Sequence, residues 1–236
     1  EAPVAEAPAA KFNIKALIPF VALAVAAIIV LVAIFSIFCG GEEKIENNLF
    51  VNGLAKARQG ANWGYIDDDG DWVINAQFES AENFTEDGIA LVKSGGKYGY
   101  IDDDGEWVIN PQYTSASSFS QGLAAVYMGS NWGYIDDDGE WVINAQFSSA
   151  LPFNEEGLAI VSSGGKYGVI DTDGDWVINP QFENFYGFNE GMSAVEMGDK
   201  TGFIDEDGDW IINAQFENFT PTNTGYFGEG MIAVES

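Results

Sequence analysis

Residues 62–78 read NWGYIDDDGDWVINAQF, and this pattern returns four more times along the chain. The later copies read KYGYIDDDGEWVINPQY at 97–113, NWGYIDDDGEWVINAQF at 131–147, KYGVIDTDGDWVINPQF at 166–182 and KTGFIDEDGDWIINAQF at 200–216. Successive copies start 34 or 35 residues apart, and the third residue of each is glycine. A fixed period of this length is typical of a repeat protein, in which most residues form a scaffold and function lies on a surface.

Each repeat predicts three short strands, which in the first repeat are residues 65–67, 72–75 and 89–93. Asp69-Gly70 separates the first two, and an Asp-Gly pair favours a tight hairpin because glycine accepts a positive φ. Residues 94–96, Ser-Gly-Gly, predict a second hairpin into the next repeat. No helical period competes inside the repeats. The expected fold is all-β, with tandem antiparallel three-stranded repeats forming a propeller-like ring or an open curved array.

The third strand occurs six times, once more than the hairpin. A degenerate copy, FVNGLAKAR, stands at 50–58 ahead of the first hairpin. An extra strand at one end can cover a sheet edge that would otherwise be open to aggregation.

Two rows of aromatic residues also recur in every repeat. One is the tryptophan row Trp72, Trp107, Trp141, Trp176 and Trp210; the other lies six residues later, at Phe78, Tyr113, Phe147, Phe182 and Phe216. Exposed aromatic ladders can bind carbohydrate, but aromatics fixed to a repeat position more often form the core between repeats. We therefore expect both rows in the core.

The net charge of the chain is −28, and the repeats carry all of it. Residues 1–60 hold five acidic and five basic side chains, which cancel. Nucleic acid is excluded as a partner because phosphate binding needs a basic face. The absence of His and the single Cys39 exclude disulfide scaffolds, Cys/His zinc sites and His-based acid–base catalysis within this chain. Since no unique nucleophile–base pair stands out either, the sequence does not predict an enzyme.

Residues 16–38 are 23 residues without a charge. As one long hydrophobic helix they would extend about 35 Å, enough to cross a bilayer. Lys11 and Lys15 precede the segment, and the positive-inside bias then puts the N-terminus in the cytoplasm and the repeats outside the cell. The expected organisation is a Pro/Ala/Glu-rich leader at 1–15, the helix at 16–38, a linker at 39–52 and the five-repeat β-domain at 53–236.

The hydrophobic helix has two interpretations. It is a single-pass membrane anchor, or it packs against its own copies in the core of a polymer. Ala22 and Ala26 form a small-xxx-small pair that permits close helix approach, and Val30 follows one turn later. These three residues are the candidate assembly positions.

The acidic turns are the first candidate binding site, since they hold 19 of the 37 acidic residues. Their D-x-D-x-D/E spacing offers the oxygen ligands that calcium prefers. The candidate weak calcium ligands are Asp67, Asp69, Asp71, Asp102, Asp104, Glu106, Asp136, Asp138, Glu140, Asp171, Asp173, Asp175, Asp205, Asp207 and Asp209. The alternative is a solvated turn whose aspartates stabilise the hairpin and keep the edge soluble. No other cofactor is expected.

Two triplets, Asn83-Phe-Thr and Asn218-Phe-Thr, match the acceptor pattern for N-glycosylation. Both asparagines are candidates for surface sugar if the repeats lie outside the cell.

The repeats resemble the WG-repeat family, also written KWG, whose bacterial members show a W-G or Y-G dipeptide, an Ile-Asp, a glycine turn and a Val-Ile. The resemblance rests on Trp63-Gly64, Tyr98-Gly99, Trp132-Gly133, Tyr167-Gly168 and the degraded Thr201-Gly202. It covers about residues 53–236 and implies an all-β fold with no defined enzymatic activity. Family copies often carry Lys or Asn in the turn, where this chain is almost entirely acidic.

Two functions remain open at this point. In the first, the chain is a cell-surface structural subunit that self-associates through the helix, with the acidic repeats outside. In the second, it is a membrane-anchored module whose repeat face binds an unidentified protein or glycan.

Overall fold

The structure, a computed structural model, describes residues 50–217. The predicted helix at 16–38 with Ala22, Ala26 and Val30, the leader at 1–15, most of the linker and Asn218 lie outside these residues. Residues 50–217 contain strands and turns but no helix, and so no helix there is long and apolar enough to cross a membrane. The prediction of an all-β fold built from tandem antiparallel repeats is confirmed.

Within this part of the chain, nineteen strands form five antiparallel sheets in chain order. Sheet 1 contains β1 (Ala55–Gln59), β2 (Asn62–Ile66) and β3 (Trp72–Phe78). Sheet 2 contains β4 (Ser80–Ala81), β5 (Ala90–Ser94), β6 (Lys97–Ile101) and β7 (Trp107–Tyr113). Sheet 3 contains β8 (Ser115–Ala116), β9 (Ala124–Met128), β10 (Asn131–Ile135) and β11 (Trp141–Phe147). Sheet 4 contains β12 (Ser149–Ala150), β13 (Ala159–Ser163), β14 (Lys166–Ile170) and β15 (Trp176–Phe182). Sheet 5 contains β16 (Asn184–Asn189), β17 (Met192–Met197), β18 (Lys200–Asp205) and β19 (Trp210–Phe216).

The prediction of three-stranded repeats was wrong for sheets 2 to 5, which have four strands each. The additional strand is two residues long in sheets 2, 3 and 4, too short to leave an alternating pattern in the sequence. In sheet 2 it pairs Ser80 with Lys93 and Ala81 with Val92. Each of these four sheets therefore begins with the additional strand, continues with the third strand of one repeat and ends with the hairpin of the next.

The glycine of each W-G or Y-G dipeptide lies against a bulge in the last strand of its sheet. In sheet 2, Tyr98 pairs with Tyr113 and Tyr100 pairs with Ile109, so β7 advances four residues while β6 advances two. The additional backbone presses on Gly99, where a Cβ atom would lie 2.6 Å from the Ile109 carbonyl oxygen and 2.7 Å from the Pro111 nitrogen. Only glycine fits at this approach.

A second register shift in the same strand turns two side chains in different directions. Ile101 pairs with Trp107, which leaves Val108 as an unpaired residue of the bulge. Trp107 packs edge-on against Phe78 of sheet 1 at a centroid distance of 5.9 Å, whereas Val108 is 39% exposed. The same shift occurs in all five sheets.

The core lies between consecutive sheets rather than inside one of them. Tyr65, Ile74 and Phe78 of sheet 1 pack with Val92 and Ile101 of sheet 2, and equivalent clusters follow. Fully burying a side chain of this size stabilises a fold by about 1.5–3 kcal/mol. The aromatic row at Phe78 is buried in the first four sheets, as expected. The tryptophan row is only half buried, with Trp107 36% exposed.

The turn glycine of each of sheets 2 to 5 packs against an isoleucine of the preceding sheet. Gly105 has a φ of 84°, which the tight turn requires, and its α-carbon faces Ile74 of sheet 1 so closely that an added Cβ would lie 3.2 Å from Ile74 Cγ1. The pairs Gly139–Ile109, Gly174–Ile143 and Gly208–Ile178 repeat this contact. At the two ends of the described array, Gly70 meets no atom within 4 Å and Ile212 is only half buried. Within the described residues, this contact therefore links each of sheets 2 to 5 to the sheet before it.

Three buried tyrosines link sheets 1, 2 and 3 to the loop of the following sheet by hydrogen bonds. The hydroxyl groups of Tyr65, Tyr100 and Tyr134 donate hydrogen bonds of 2.7–2.8 Å to the carbonyl oxygens of Glu82, Ser117 and Leu151 respectively. Burial raises the pKa of all three tyrosines above the usual value. These hydroxyl groups therefore remain protonated donors at alkaline pH values where an exposed tyrosine would ionise.

Candidate functional site

The acidic turns lie at one end of the sheets, together with a second set of acidic loops. In sheet 2, Ala90 at the start of β5 pairs with Ile101 at the end of β6. The loop before β5 and the turn after β6 therefore emerge side by side. That loop carries Glu86 and Asp87, and its counterpart in sheet 4 carries Glu155 and Glu156. We call this surface the acidic end.

The opposite end of the sheets carries most of the basic residues. Lys97 and Lys166 begin β6 and β14 at the hairpin turns, Lys93 lies one residue before the end of β5, and Lys200 begins β18. Lys166 forms an ion pair there with Glu183. The charge of the described repeats is thus polarised along the strand direction.

The first aspartate of each turn has a structural role. Asp102 Oδ1 accepts a hydrogen bond of 2.8 Å from the backbone N–H of Glu106, and the Asp102 carbonyl oxygen accepts one from Gly105. The other four turns repeat the side-chain bond at 2.8–2.9 Å, from Asp67, Asp136, Asp171 and Asp205. These aspartates close the hairpins, which agrees with the expectation that aspartates stabilise such turns.

The remaining candidate calcium ligands lie on the same turns, and Asp104 and Asp138 are exposed. In residues 50–217, no three acidic side chains are gathered closely enough to hold a metal ion. Weak calcium binding at the acidic turns remains a prediction. Asn83 lies exposed in the loop of sheet 2, and its glycosylation also remains a prediction.

The acidic end contains a cleft that the sequence patterns did not predict. One half has a volume of about 470 Å³ and is lined by acidic and amide side chains of sheets 4 and 5; the other half, of about 230 Å³, is apolar. Asn154 and Phe188 line both halves. The sequence signal that could have indicated the cleft is Leu151-Pro152, which stands where the first repeat has Glu82-Asn83 and the second has Ser117-Ser118.

The bulges leave a row of aliphatic side chains in solvent, at Val73, Val108, Val142, Val177 and Ile211. Each belongs to the last strand of its sheet, an edge strand in the described residues. Pro111 and Pro180 interrupt two of these edges, and a proline blocks pairing with another strand. The sequence patterns did not predict this aliphatic row. The sequence places an aliphatic residue before a buried Ile, but it does not show that the first of the two is the unpaired residue of a bulge.

The family description "WG containing repeat" matches residues 63–98, 98–132, 132–167, 167–200 and 202–235. The chain belongs to this WG-repeat family. The resemblance drawn from its five dipeptides is thereby confirmed. WG repeats are β-repeats of a typically non-catalytic type. No curated protein matches the chain.

Several solved structures resemble the WG-repeat domain at low identity. Hsv2 of Kluyveromyces lactis is 11% identical, with a TM-score of 0.44 over 67% of this chain and 59% of that one. A crystal structure of a eukaryotic initiation factor is 11% identical, with a TM-score of 0.43 over 63% of this chain and 48% of that one. A plant lectin from Cicer arietinum is 10% identical, with a TM-score of 0.26 over 58% of this chain and 92% of that one. The chain spans less than two thirds of the length of the first two.

Proposed function

We propose that the chain is a non-enzymatic structural subunit of a cell-surface filament or assembly. The helix at 16–38 packs against its copies in the core, and the acidic WG-repeat domain forms the exterior. The observation that carries the proposal is the separation of apolarity and charge along the chain. Twenty-three residues without a charge precede repeats that hold the entire net charge of −28.

The repeat domain suits the outer position because its core residues pack against one another between its own sheets. The buried rows at Ile74 and Phe78 pack between consecutive sheets, so this part of the chain needs no partner to form a core. Its charge keeps neighbouring domains soluble and apart, and salt screens that repulsion over about 8–10 Å at physiological ionic strength. Attraction between copies then has to come from the apolar helix.

The test is assembly of the full chain, followed by electron microscopy in buffer without lipid. The double substitution Ala26→Lys with Val30→Lys should abolish polymers, because it places two charges in an apolar contact. Asp103→Lys is the matched control, since it shifts the net charge by the same amount but lies in an exposed turn, and polymers should persist. Low salt with a chelator should weaken assembly, and calcium should restore it by bridging carboxylates.

The filament proposal fails if the full chain stays monomeric in detergent and in lipid-free buffer alike, with and without calcium. The second candidate, a membrane-anchored binding module, would then take its place. The aliphatic row favours that candidate, because it presents one exposed apolar side chain at the same position of every described sheet. Five equivalent positions could bind a protein or glycan at several points.

A further inference from the structure

The cleft at the acidic end combines two chemistries within one surface depression. Its larger half is lined by Glu155 and Glu156 from the loop of sheet 4, and by Glu190 and Glu206 from sheet 5. Its smaller half is lined by Leu151 and Ile160, among others, with Phe188 shared between the two. Neither half has a lysine or arginine among its lining residues. The depression is therefore anionic on one side and apolar on the other.

The loop that carries the anionic side is held in place from two directions. Within the loop, Asn154 Oδ1 accepts a hydrogen bond of 2.7 Å from the N–H of Leu158. From sheet 3, Ser120 Oγ donates one of 2.7 Å to the Phe153 carbonyl oxygen, and the Gln121 side chain donates one of 3.4 Å to that of Glu155. The loop is thus fixed before a ligand arrives, which lowers the ordering cost of binding.

Glu190, the residue before Gly191 in sheet 5, differs from its counterparts in sheets 1 and 3, whose amide side chains link each sheet to the loop of the next. Asn52 donates to the carbonyl oxygens of Thr85 and Glu86 across sheets 1 and 2, as Gln121 does across sheets 3 and 4. Glu190 holds the same left-handed conformation, with a φ of 51° against 52° for Asn52 and 53° for Gln121. A carboxylate cannot donate such a bond, so this repeat position presents a charge instead.

We propose that this cleft is a docking site for a basic segment of a partner polypeptide in which Lys or Arg stands beside an apolar residue. The ammonium or guanidinium groups meet the carboxylates of Glu155, Glu156 and Glu190, while the apolar side chain lies against Leu151 and Phe188. Among the described residues, no three acidic side chains lie close enough together to share a metal ion. The glutamates of the cleft can instead each meet a separate positive charge along an extended peptide. The site does not depend on filament formation.

The test uses the full chain in a non-ionic detergent at physiological salt, with peptide binding followed by fluorescence anisotropy. The probe is the labelled heptapeptide Gly-Lys-Leu-Lys-Phe-Lys-Gly, and its control replaces Leu and Phe with Ser. The cleft variant combines Glu155→Gln, Glu156→Gln and Glu190→Gln. Gln121 already occupies the equivalent of position 190 in the same conformation, so the variant should fold, which circular dichroism checks. The matched variant combines Glu86→Gln, Asp87→Asn and Asp137→Asn, which removes the same charge from the acidic end around sheets 2 and 3.

The cleft variant should weaken binding of the apolar probe at least tenfold, and the matched variant less than twofold. Leu151→Ser should weaken the apolar probe about fivefold and leave the serine peptide unchanged. Equal losses in the two triple variants would show general attraction to an acidic protein and overturn the proposal. Equal affinity for both peptides would also overturn it, and so would full displacement of the probe by equimolar spermidine, which would assign the cleft to small polyamines.

Discussion

Gly99→Val should lower the free energy of unfolding by about 3 kcal/mol or more, which for a domain of this size is a fall of about 10 °C in Tm. The Cβ of the new side chain would lie 2.6–2.9 Å from the Ile109 carbonyl oxygen and from the nitrogen and Cα of Pro111. All three are backbone atoms of the bulge in β7, so they cannot rotate away. Thermal melts followed by circular dichroism measure the effect.

The control for this experiment is Asp103→Asn, at an exposed position in the turn of the same hairpin. It should change the free energy of unfolding by less than about 0.5 kcal/mol. Gly99→Ala separates steric exclusion from strand propensity, because a single methyl group already meets the same atoms. Equal melting temperatures for Gly99→Val and Asp103→Asn would show that the bulge does not require glycine.

Ile143→Ala should lower the free energy of unfolding by about 3 kcal/mol, through lost burial and the cavity left behind. Ile143 is 4% exposed and lies beneath Gly174 of sheet 4, in a cluster with Tyr134 and Phe147. Urea denaturation of the full chain in non-ionic detergent gives the value.

Ile212→Ala is the matched variant, since it makes the same change at the same repeat position of sheet 5. Ile212 is half buried, and no turn glycine covers it among residues 50–217. Its loss should be less than about 1.5 kcal/mol. Equal losses at positions 143 and 212 would mean that the turn contact between sheets adds nothing to the burial of this side chain.

The sequence predicted the elements that depend on local chemistry. Asp69-Gly70 and Gly95-Gly96 specify hairpin turns because glycine adopts a positive φ there. The strand predicted at 72–75 is present as β3, which extends three residues beyond the predicted end. The strand at 50–58 was also recognised, since β1 (Ala55–Gln59) pairs with β2 and starts sheet 1. These features follow from two or three neighbouring residues.

Features that depend on pairing between distant residues were not predicted. The strand Ser80–Ala81 is defined by its pairing with Lys93 and Val92 of β5. Two residues are too few to show an alternating pattern in the sequence. The bulge that exposes Val108 and turns Trp107 toward sheet 1 is a shift in the pairing register between β6 and β7. The local sequence Trp-Val-Ile does not indicate such a shift, because the register depends on the partner strand. The cleft at Glu155 and Glu190 arises where two sheets meet, so a single repeat could not have revealed it.

We expect the repeat domain to fold by itself and a separate segment to drive assembly. The most direct test is analytical ultracentrifugation of two proteins in the same lipid-free buffer, the full chain and a truncated chain that begins at Phe50. The truncated chain should sediment as a soluble monomer with a β-rich circular dichroism spectrum, because its described apolar rows pack between its own sheets. The full chain should sediment as a large assembly. Aggregation or a random-coil spectrum of the truncated chain would contradict the independence of the repeat domain, and assembly of the truncated chain to the same size as the full chain would show that the repeats themselves hold the copies together.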